Sequence, residues 1–379
     1  MYKAAFVAVL KPADDIRLFQ KIAQTFWESG FEIFNFGSQS NLEVKNKNSN
    51  IHFYPIFKFF RSSFQRLWAG LLILKYLWKV KPQILVCGAV ELLPFCVLYK
   101  FFQKLSGKKL HLIYDVQENY FLNVLHTETY KSWWVFRKVL AYSIRLVEWL
   151  CASQVDTFFL AEKCYQLELS FVKKRCLVLE NKVLKINFQE KNVSNPIFLL
   201  SGTIAPEYGL WKAIDFAEKV HCSFPQITLK IAGRCSRKEV FSELVALQEK
   251  KPFLQLEISE KALNYEILQK NFAESTFWLM PYQVNPAYQN RIPTKFYEAM
   301  AWQKWIFVQK NPVWENFFKE YAYPYVIWID FQKPKTWQEA LDISKILQKP
   351  SYQNPQIFWD SEKEKLQKFI STWISSNSE

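Results

Sequence analysis

Glycine is scarce in this chain, with 8 among 379 residues, and so are methionine (3) and histidine (4). Few places are therefore left where the backbone can turn left-handed or press close to a ligand. The seven cysteines, Cys87, Cys96, Cys151, Cys164, Cys176, Cys222 and Cys235, never stand in C-x-x-C spacing. An odd, scattered set suits reduced thiols in the cytoplasm rather than a disulfide framework. His52, His111, His126 and His221 do not cluster with them, which argues against zinc. No D-x-D triplet occurs, so there is no obvious Mg²⁺ or Mn²⁺ site, and no metal or other cofactor is expected. Neither G-x-S-x-G nor G-x-x-x-x-G-K-[ST] is present, which argues against an α/β-hydrolase and a P-loop enzyme. No charge-free apolar run reaches 18 residues, so no membrane-spanning helix is expected. The opening MYKAAFVAVLKPADD turns acidic too early for a secretory signal and reads as a buried strand, Ala4 to Leu10.

Acidic side chains are also missing locally. None falls between Glu43 and Glu91. That interval holds Lys45, Lys47, Lys58, Arg61, Arg66, Lys75, Lys79 and Lys81, interleaved with aromatics such as Phe53, Tyr54, Phe57, Phe59, Phe60, Phe64, Trp68, Tyr76 and Trp78. Residues 1–185 carry 26 Lys+Arg against 14 Asp+Glu, a net of +12, while the remainder carries 23 against 21, a net of +2. The basic, aromatic stretch reads as a surface for anionic lipid, or as an amphipathic helix whose apolar side is core, as the spacing of Trp68, Leu71, Leu72 and Lys75 suggests. A nucleic-acid surface ranks last, because no nucleic-acid motif accompanies the charge, and no nucleic-acid partner is expected.

The length suffices for two domains, and both halves alternate short apolar runs with helical patterns, the signature of α/β folding. In the first half the expected strands are Ala4–Leu10, Glu32–Phe36, Ile84–Cys87, Leu110–Tyr114, Thr157–Leu160 and Cys176–Leu179. Helical patterns cover Ile16–Ser29, Ser63–Lys79, Leu92–Leu105 and Ser132–Ala152. Lys182 to Asn195 is polar, ends before Pro196, and reads as a linker. The second half alternates strands at Ile197–Ser201, Ile227–Ala232, Leu254–Ile258, Thr276–Met280, Ile306–Val308 and Tyr325–Ile329 with helices Leu210–Cys222, Lys238–Lys250, Ala262–Asn271 and Thr336–Leu347. A last helix spans Trp359–Ser375. The domains expected are 1–185, 196–355 and a returning helical tail, 356–379. Two such sheets in series place a ligand in the cleft between them, at the carboxyl ends of the strands.

The most informative stretch is Asn290 to Ala301, NRIPTKFYEAMA. Pro293 breaks what precedes it, and Thr294 is the expected N-cap of a helix starting near Lys295. Lys295 and Glu298, three apart, share one face of the first turn. A helix N-terminus with an adjacent lysine attracts phosphate. A carboxylate beside it could hold vicinal hydroxyls such as those of a ribose. An ordinary surface helix with an i,i+3 ion pair fits this pattern as well.

This run resembles the donor-site motif of the family 4 (group 1) retaining glycosyltransferases of bacterial polysaccharide assembly, which have the two-domain GT-B fold. Glu298 and Lys295 stand at the motif's second Glu and its Lys, and Asn290 replaces the first Glu. The resemblance extends along nearly the whole chain. Ser201-Gly202-Thr203 corresponds to the family's glycine turn but lacks its Arg and Lys, for which Arg291 or Arg234 could substitute. Asp115-Val116-Gln117-Glu118-Asn119 resembles a DxHEN stretch of a bacterial subset, with Gln117 at the His position. Asp15 and Arg17, after the first strand, would face an acceptor, although Asp15 could instead cap its helix. Glu91 and Glu118 are further acceptor-side candidates in strand-end loops.

The resemblance implies two Rossmann-like doubly wound domains facing across a cleft, with the C-terminal helix crossing back to the first. It also implies metal-independent transfer of a sugar, with retention, from a nucleotide-sugar to an acceptor. Catalytic roles would fall to Gln117, Asn290, Lys295 and Glu298, with Gly202, Thr203, Arg234, Arg291 and Thr294 also touching the donor. The basic half suggests a lipid-linked or membrane-borne glycan acceptor, as in polysaccharide or lipopolysaccharide assembly, and a peripheral seat on the inner face of the cytoplasmic membrane. The departures at Asn290 and Gln117 and the missing Arg and Lys leave open a non-catalytic relative that binds sugar nucleotides. A nucleotide-sugar epimerase can share the same fold.

Overall fold

The computed structural model describes residues 1–39, 50–58, 66, 68–126, 134–173, 175–185, 195–333 and 350–377. The chain divides into two compact units. Unit 1 comprises Met1–Leu184 and Trp359–Glu379, and unit 2 comprises Lys185–Phe358.

Seven strands form the sheet of unit 1: β1 (Lys3–Pro12), β2 (Glu32–Ser38), β3 (Ile51–Phe57), β4 (Ile84–Cys87), β5 (His111–Val116), β6 (Thr157–Leu160) and β7 (Cys176–Val178). Their order is β3-β2-β1-β4-β5-β6-β7, and every pairing is parallel. A wide π-helical turn, Ile16–Ala23, leads into α1 (Gln24–Glu28). The other helices before the hinge are α2 (Ala69–Val80), α3 (Leu93–Leu105), α4 (Tyr120–His126), α5 (Trp134–Ala152) and α6 (Tyr165–Glu168).

The two-residue period of β1 sorts its side chains between the two layers. Ala5, Val7 and Val9 meet Ile73 and Leu77 of α2, Cys96 and Tyr99 of α3, and Cys151 of α5. Ala4, Phe6 and Ala8 point the other way, toward Leu18, Ile22 and Phe26. Both faces are thus covered, as a parallel sheet requires.

Unit 2 repeats the plan with six strands: β8 (Ile197–Thr203), β9 (Thr228–Arg234), β10 (Leu254–Ser259), β11 (Phe277–Met280), β12 (Trp305–Gln309) and β13 (Val326–Ile329). The order is β10-β9-β8-β11-β12-β13, again with parallel pairings. Its helices are α7 (Leu210–Ser223), α8 (Lys238–Lys250), α9 (Tyr265–Glu274), α10 (Thr294–Ala301) and α11 (Pro312–Glu320).

The last helix, α12 (Asp360–Asn377), returns to unit 1. Trp359, Leu366, Ile370 and Trp373 complete the core beneath Ala4, Phe6 and Ala8. Buried Glu362 fixes the junction. It receives Lys182 Nζ at 2.7 Å and the Glu180 N–H at 3.2 Å. Lys182 is therefore core, not linker.

His111 of β5 lies against this helix, with its ring near Phe369 and Trp373 and its Nε2 2.9 Å from Thr157 Oγ1. Burial, and to a lesser extent Lys100, lowers its pKa below the usual 6.5, against an opposing pull from Asp156. The unfolded chain therefore takes up this proton first as the pH falls. Stability should drop as the pH goes below about 6.5, and His111→Phe should flatten that slope in denaturant titrations at several pH values.

Several elements differ from the sequence expectation. β3 emerges within the basic aromatic interval, where Phe57 is buried and Tyr54 stacks on Phe36 at 4.9 Å. Strand alternation was masked there because nearly every residue is aromatic or apolar. The helix expected from Ser63 begins as α2 at Ala69. Lys45, Lys47, Phe59, Phe60, Arg61, Phe64 and the helix expected at Thr336–Leu347 lie outside the described residues.

Candidate functional site

In each sheet the chain reverses its direction of growth at one place, and ligands of doubly wound folds bind beyond the strand ends there. In unit 2 that place is between β8 and β11. Gly202, the residue before the end of β8, has φ 113°, a value L side chains rarely adopt. Its register partner on β9 is Gly233, where an added Cβ would stand 2.0 Å from the Gly202 carbonyl oxygen. The floor of the crevice is therefore bare backbone by steric necessity. Gly233→Ala should lower the melting temperature and any nucleotide affinity together, which differential scanning fluorimetry with and without UDP would read.

Lys295, in the first turn of α10, hangs over this floor. Its Cε would lie 3.4 Å from a Cβ placed on Gly202. Its ammonium sits over the Phe272 ring at 4.5 Å and donates to Glu298 Oε2 at 2.5 Å. Both side chains are 17% exposed. Phe296, Tyr297 and Met300 bury the opposite side of the helix, so packing sets the direction of the pair. Thr294 is not the N-cap. Pro293 occupies that position with φ −57° and ψ 132°, no side chain caps this end, and Thr294 is the first helical residue. The proline ring disfavours helix at the residue before it, so the helix begins directly after Pro293, one residue earlier than the threonine signal suggests.

Two tyrosines that the sequence reading missed flank Glu298. Burial and then the Glu298 charge push the phenol of Tyr282 upward, and the same two causes push Tyr265 to about 12. Tyr282 follows β11 directly, so the strand-end rule could have found it. Tyr265 comes from α9 and carried no local signal.

The remaining donor candidates spread outward. Arg291 lies over the Tyr288 ring at 5.4 Å, and its carbonyl accepts from Trp314 Nε1 at 2.8 Å. Asn290 is exposed beside it. Thr203 and Arg234 are register partners at the ends of β8 and β9, and both are exposed. Arg234 Nε donates to the Glu260 carbonyl at 3.2 Å. The structure thus brings Gly202, Lys295 and Glu298 together and leaves Arg234 and Thr203 at the rim.

In unit 1 the reversal falls between β1 and β4. Lys11 from β1 donates to Gln117 Oε1, while Gln117 Nε2 is buried beside Gly88 with no hydrogen-bond partner among the described residues. A Cβ at Gly88 would sit 3.0 Å from that nitrogen. Asp15 accepts from the N–H groups of Arg17 and Leu18, so its side chain caps the π-helical turn. Arg17 does not present itself to an acceptor. It is 3% exposed, with Nη2 2.7 Å from Asp115 Oδ1 and Nη1 donating to the Leu179 carbonyl at 2.7 Å. A guanidinium can be buried only with such partners, and they turn it inward. Glu91 pairs with Arg66, and Glu118 accepts from Asn123 at 2.6 Å. Among the described residues, no group of three or more His, Cys, Asp or Glu could hold a metal ion, and no helix is long and apolar enough to cross a membrane.

No family model matches this sequence, and no curated protein matches it significantly. Solved structures do. Sucrose-phosphate synthase from Thermosynechococcus elongatus superposes with a TM-score of 0.71 at 10% identity, covering 100% of both chains. HepE of Anabaena in complex with UDP and glucose gives 0.66 at 10% identity, over 99% of this chain and 100% of that one. MnaA of S. aureus in complex with UDP gives 0.62 at 12% identity, over 100% and 98%. With two parallel doubly wound sheets and a final helix that rejoins the first, this chain has the GT-B fold.

Proposed function

We propose that the protein is a glycosyltransferase of the family 4 type. It takes a nucleotide-sugar into unit 2 and passes the sugar, with retention at the anomeric carbon, to a lipid-linked or membrane-borne glycan. The observation that carries this reading is the Lys295–Glu298 pair set over the Gly202–Gly233 floor at the β8/β11 reversal. The bound UDP of HepE and MnaA supports a nucleoside diphosphate as the leaving group.

In the proposed reaction the bond between the anomeric carbon and the diphosphate oxygen breaks, and the diphosphate leaves with the electron pair. The acceptor oxygen bonds to that carbon, and its proton passes to the departing phosphate. Negative charge grows on the diphosphate as the bond breaks. Lys295 and the α10 N-terminus would meet that charge, with Arg291 within one turn of chain. Glu298 would accept from the ribose hydroxyls. The carboxylate also orients the ammonium through their mutual hydrogen bond.

The test is a thermal-shift panel of UDP-, GDP- and ADP-sugars, followed by nucleotide release with and without a membrane extract. Stabilisation by one nucleotide-sugar and extract-dependent release are expected. Absence of stabilisation by every nucleotide would overturn the donor site, and isomer formation without acceptor would favour an epimerase.

A further inference from the structure

The helices covering one face of the unit 1 sheet carry an outer surface of unusual composition. α3 packs against both α2 and α5, so the three form one layer. The outward side of such a layer is ordinarily polar. Here Val139, Tyr142, Leu146 and Trp149, spaced by three and four residues along α5, are all more than half exposed, at 59%, 62%, 54% and 61%. On α3, Phe101 and Leu105 are exposed four residues apart, and on α2, Leu71 and Trp78 are exposed two turns apart. Trp78 and Phe102 approach to 6.1 Å, which joins the surfaces of α2 and α3.

The charges among these apolar groups have one sign. Lys75 and Lys79 of α2, Lys104 of α3 and Lys138 of α5 are exposed. α2 and α3 contain no acidic residue, and the single one of α5, Glu148, is buried and accepts from Tyr114. Two copies of this chain meeting here would oppose lysine to lysine. A nucleic acid would match the lysines but offers no apolar phase for Val139 or Leu146. An anionic bilayer supplies both: an acyl boundary for aliphatic stripes, a headgroup level for Trp and Tyr, and phosphates for lysine.

We infer that the outer face of α2, α3 and α5 lies flat on an anionic lipid surface. This deepens the membrane-borne acceptor proposed above and rests on that reading for its purpose. It also moves the lipid surface. Among the described residues, the segment between Glu43 and Glu91 contributes α2 to this face, its β3 is part of the sheet, and the longest apolar stripe comes from α5. Because the helices also cover the sheet, the face lies on the bilayer rather than across it.

Vesicle co-sedimentation of the full chain tests the inference. Sedimentation with phosphatidylcholine–phosphatidylglycerol vesicles is expected, weakening with salt, with little on phosphatidylcholine alone. The double variant Val139→Asp, Leu146→Asp changes side chains that are already in solvent, and it should partition to anionic vesicles about tenfold less or weaker still. Circular dichroism and the UDP thermal shift should be unchanged. Three results would overturn the inference: no binding of the parent to either vesicle, parental binding by the double variant, or a dimer that the double variant dissociates. Because UDP binding is read separately, its loss would count against the donor site and leave the lipid face standing.

Discussion

Alanine at Lys295 should lower the rate of nucleotide release by about a hundredfold or more, the usual loss when a donor aimed at developing charge is removed from a site. The lysine is a point charge held at a fixed place by Phe272, Gly202 and Glu298. Arg234, at the end of β9, is held by the Glu260 carbonyl. The fold should survive, because Phe296, Tyr297 and Met300 anchor α10 from the other side. Donor affinity should fall sharply as well. Glu298→Ala should act mainly on affinity, raising KM more than it lowers kcat, and Glu298→Gln should recover part of the loss because an amide still bonds hydroxyls. Steady-state release of the nucleotide identified by thermal shift measures both. Turnover by Lys295→Ala within about threefold of the parent would remove the lysine from the chemistry.

Breaking the Arg17–Asp115 pair should be the most destabilising single change in unit 1. Asp115 is fully enclosed, and Arg17 reaches it through both Nε and Nη2 while tying the carbonyl of Leu179. Removing either partner strands the other charge in the core, a loss of about 3–5 kcal/mol. Arg17→Met together with Asp115→Leu should restore much of that stability, because neither charge then needs solvation. Urea denaturation of the two single variants and the double variant measures the coupling. Single variants that fall less than about 1 kcal/mol below the parent would show that the pair is solvated in solution.

The distance between these partners marks where sequence reading succeeds and where it stops. Lys295 and Glu298 were legible because three residues of helix put them side by side, whatever the rest of the chain does. The alternating strands were legible for the same reason, through local patterning, and β4 and β6 begin and end where the apolar runs do. Arg17 and Asp115 lie 98 residues apart and meet only because β1 and β5 flank β4. No spacing rule connects them, so Arg17, following a strand, was expected to face an acceptor. Tyr265 beside Glu298 is hidden in the same way. α5 shows the limit differently. Its helical pattern was plain, yet only the sheet beneath it tells the inward side from the outward one.

The return of α12 to unit 1 has a consequence for the order in which the protein can be made. Ala4, Phe6 and Ala8 leave the ribosome long before the side chains that seal them, Leu366, Ile370 and Trp373. Unit 2, from Lys185 to Phe358, is synthesised entirely in between. Its core of Phe198, Leu229, Leu279 and Phe307 is, among the described residues, built from that interval, so it can close while unit 1 still shows an apolar flank. A released chain truncated just before Trp359 would therefore carry a folded second unit and an unfinished first one.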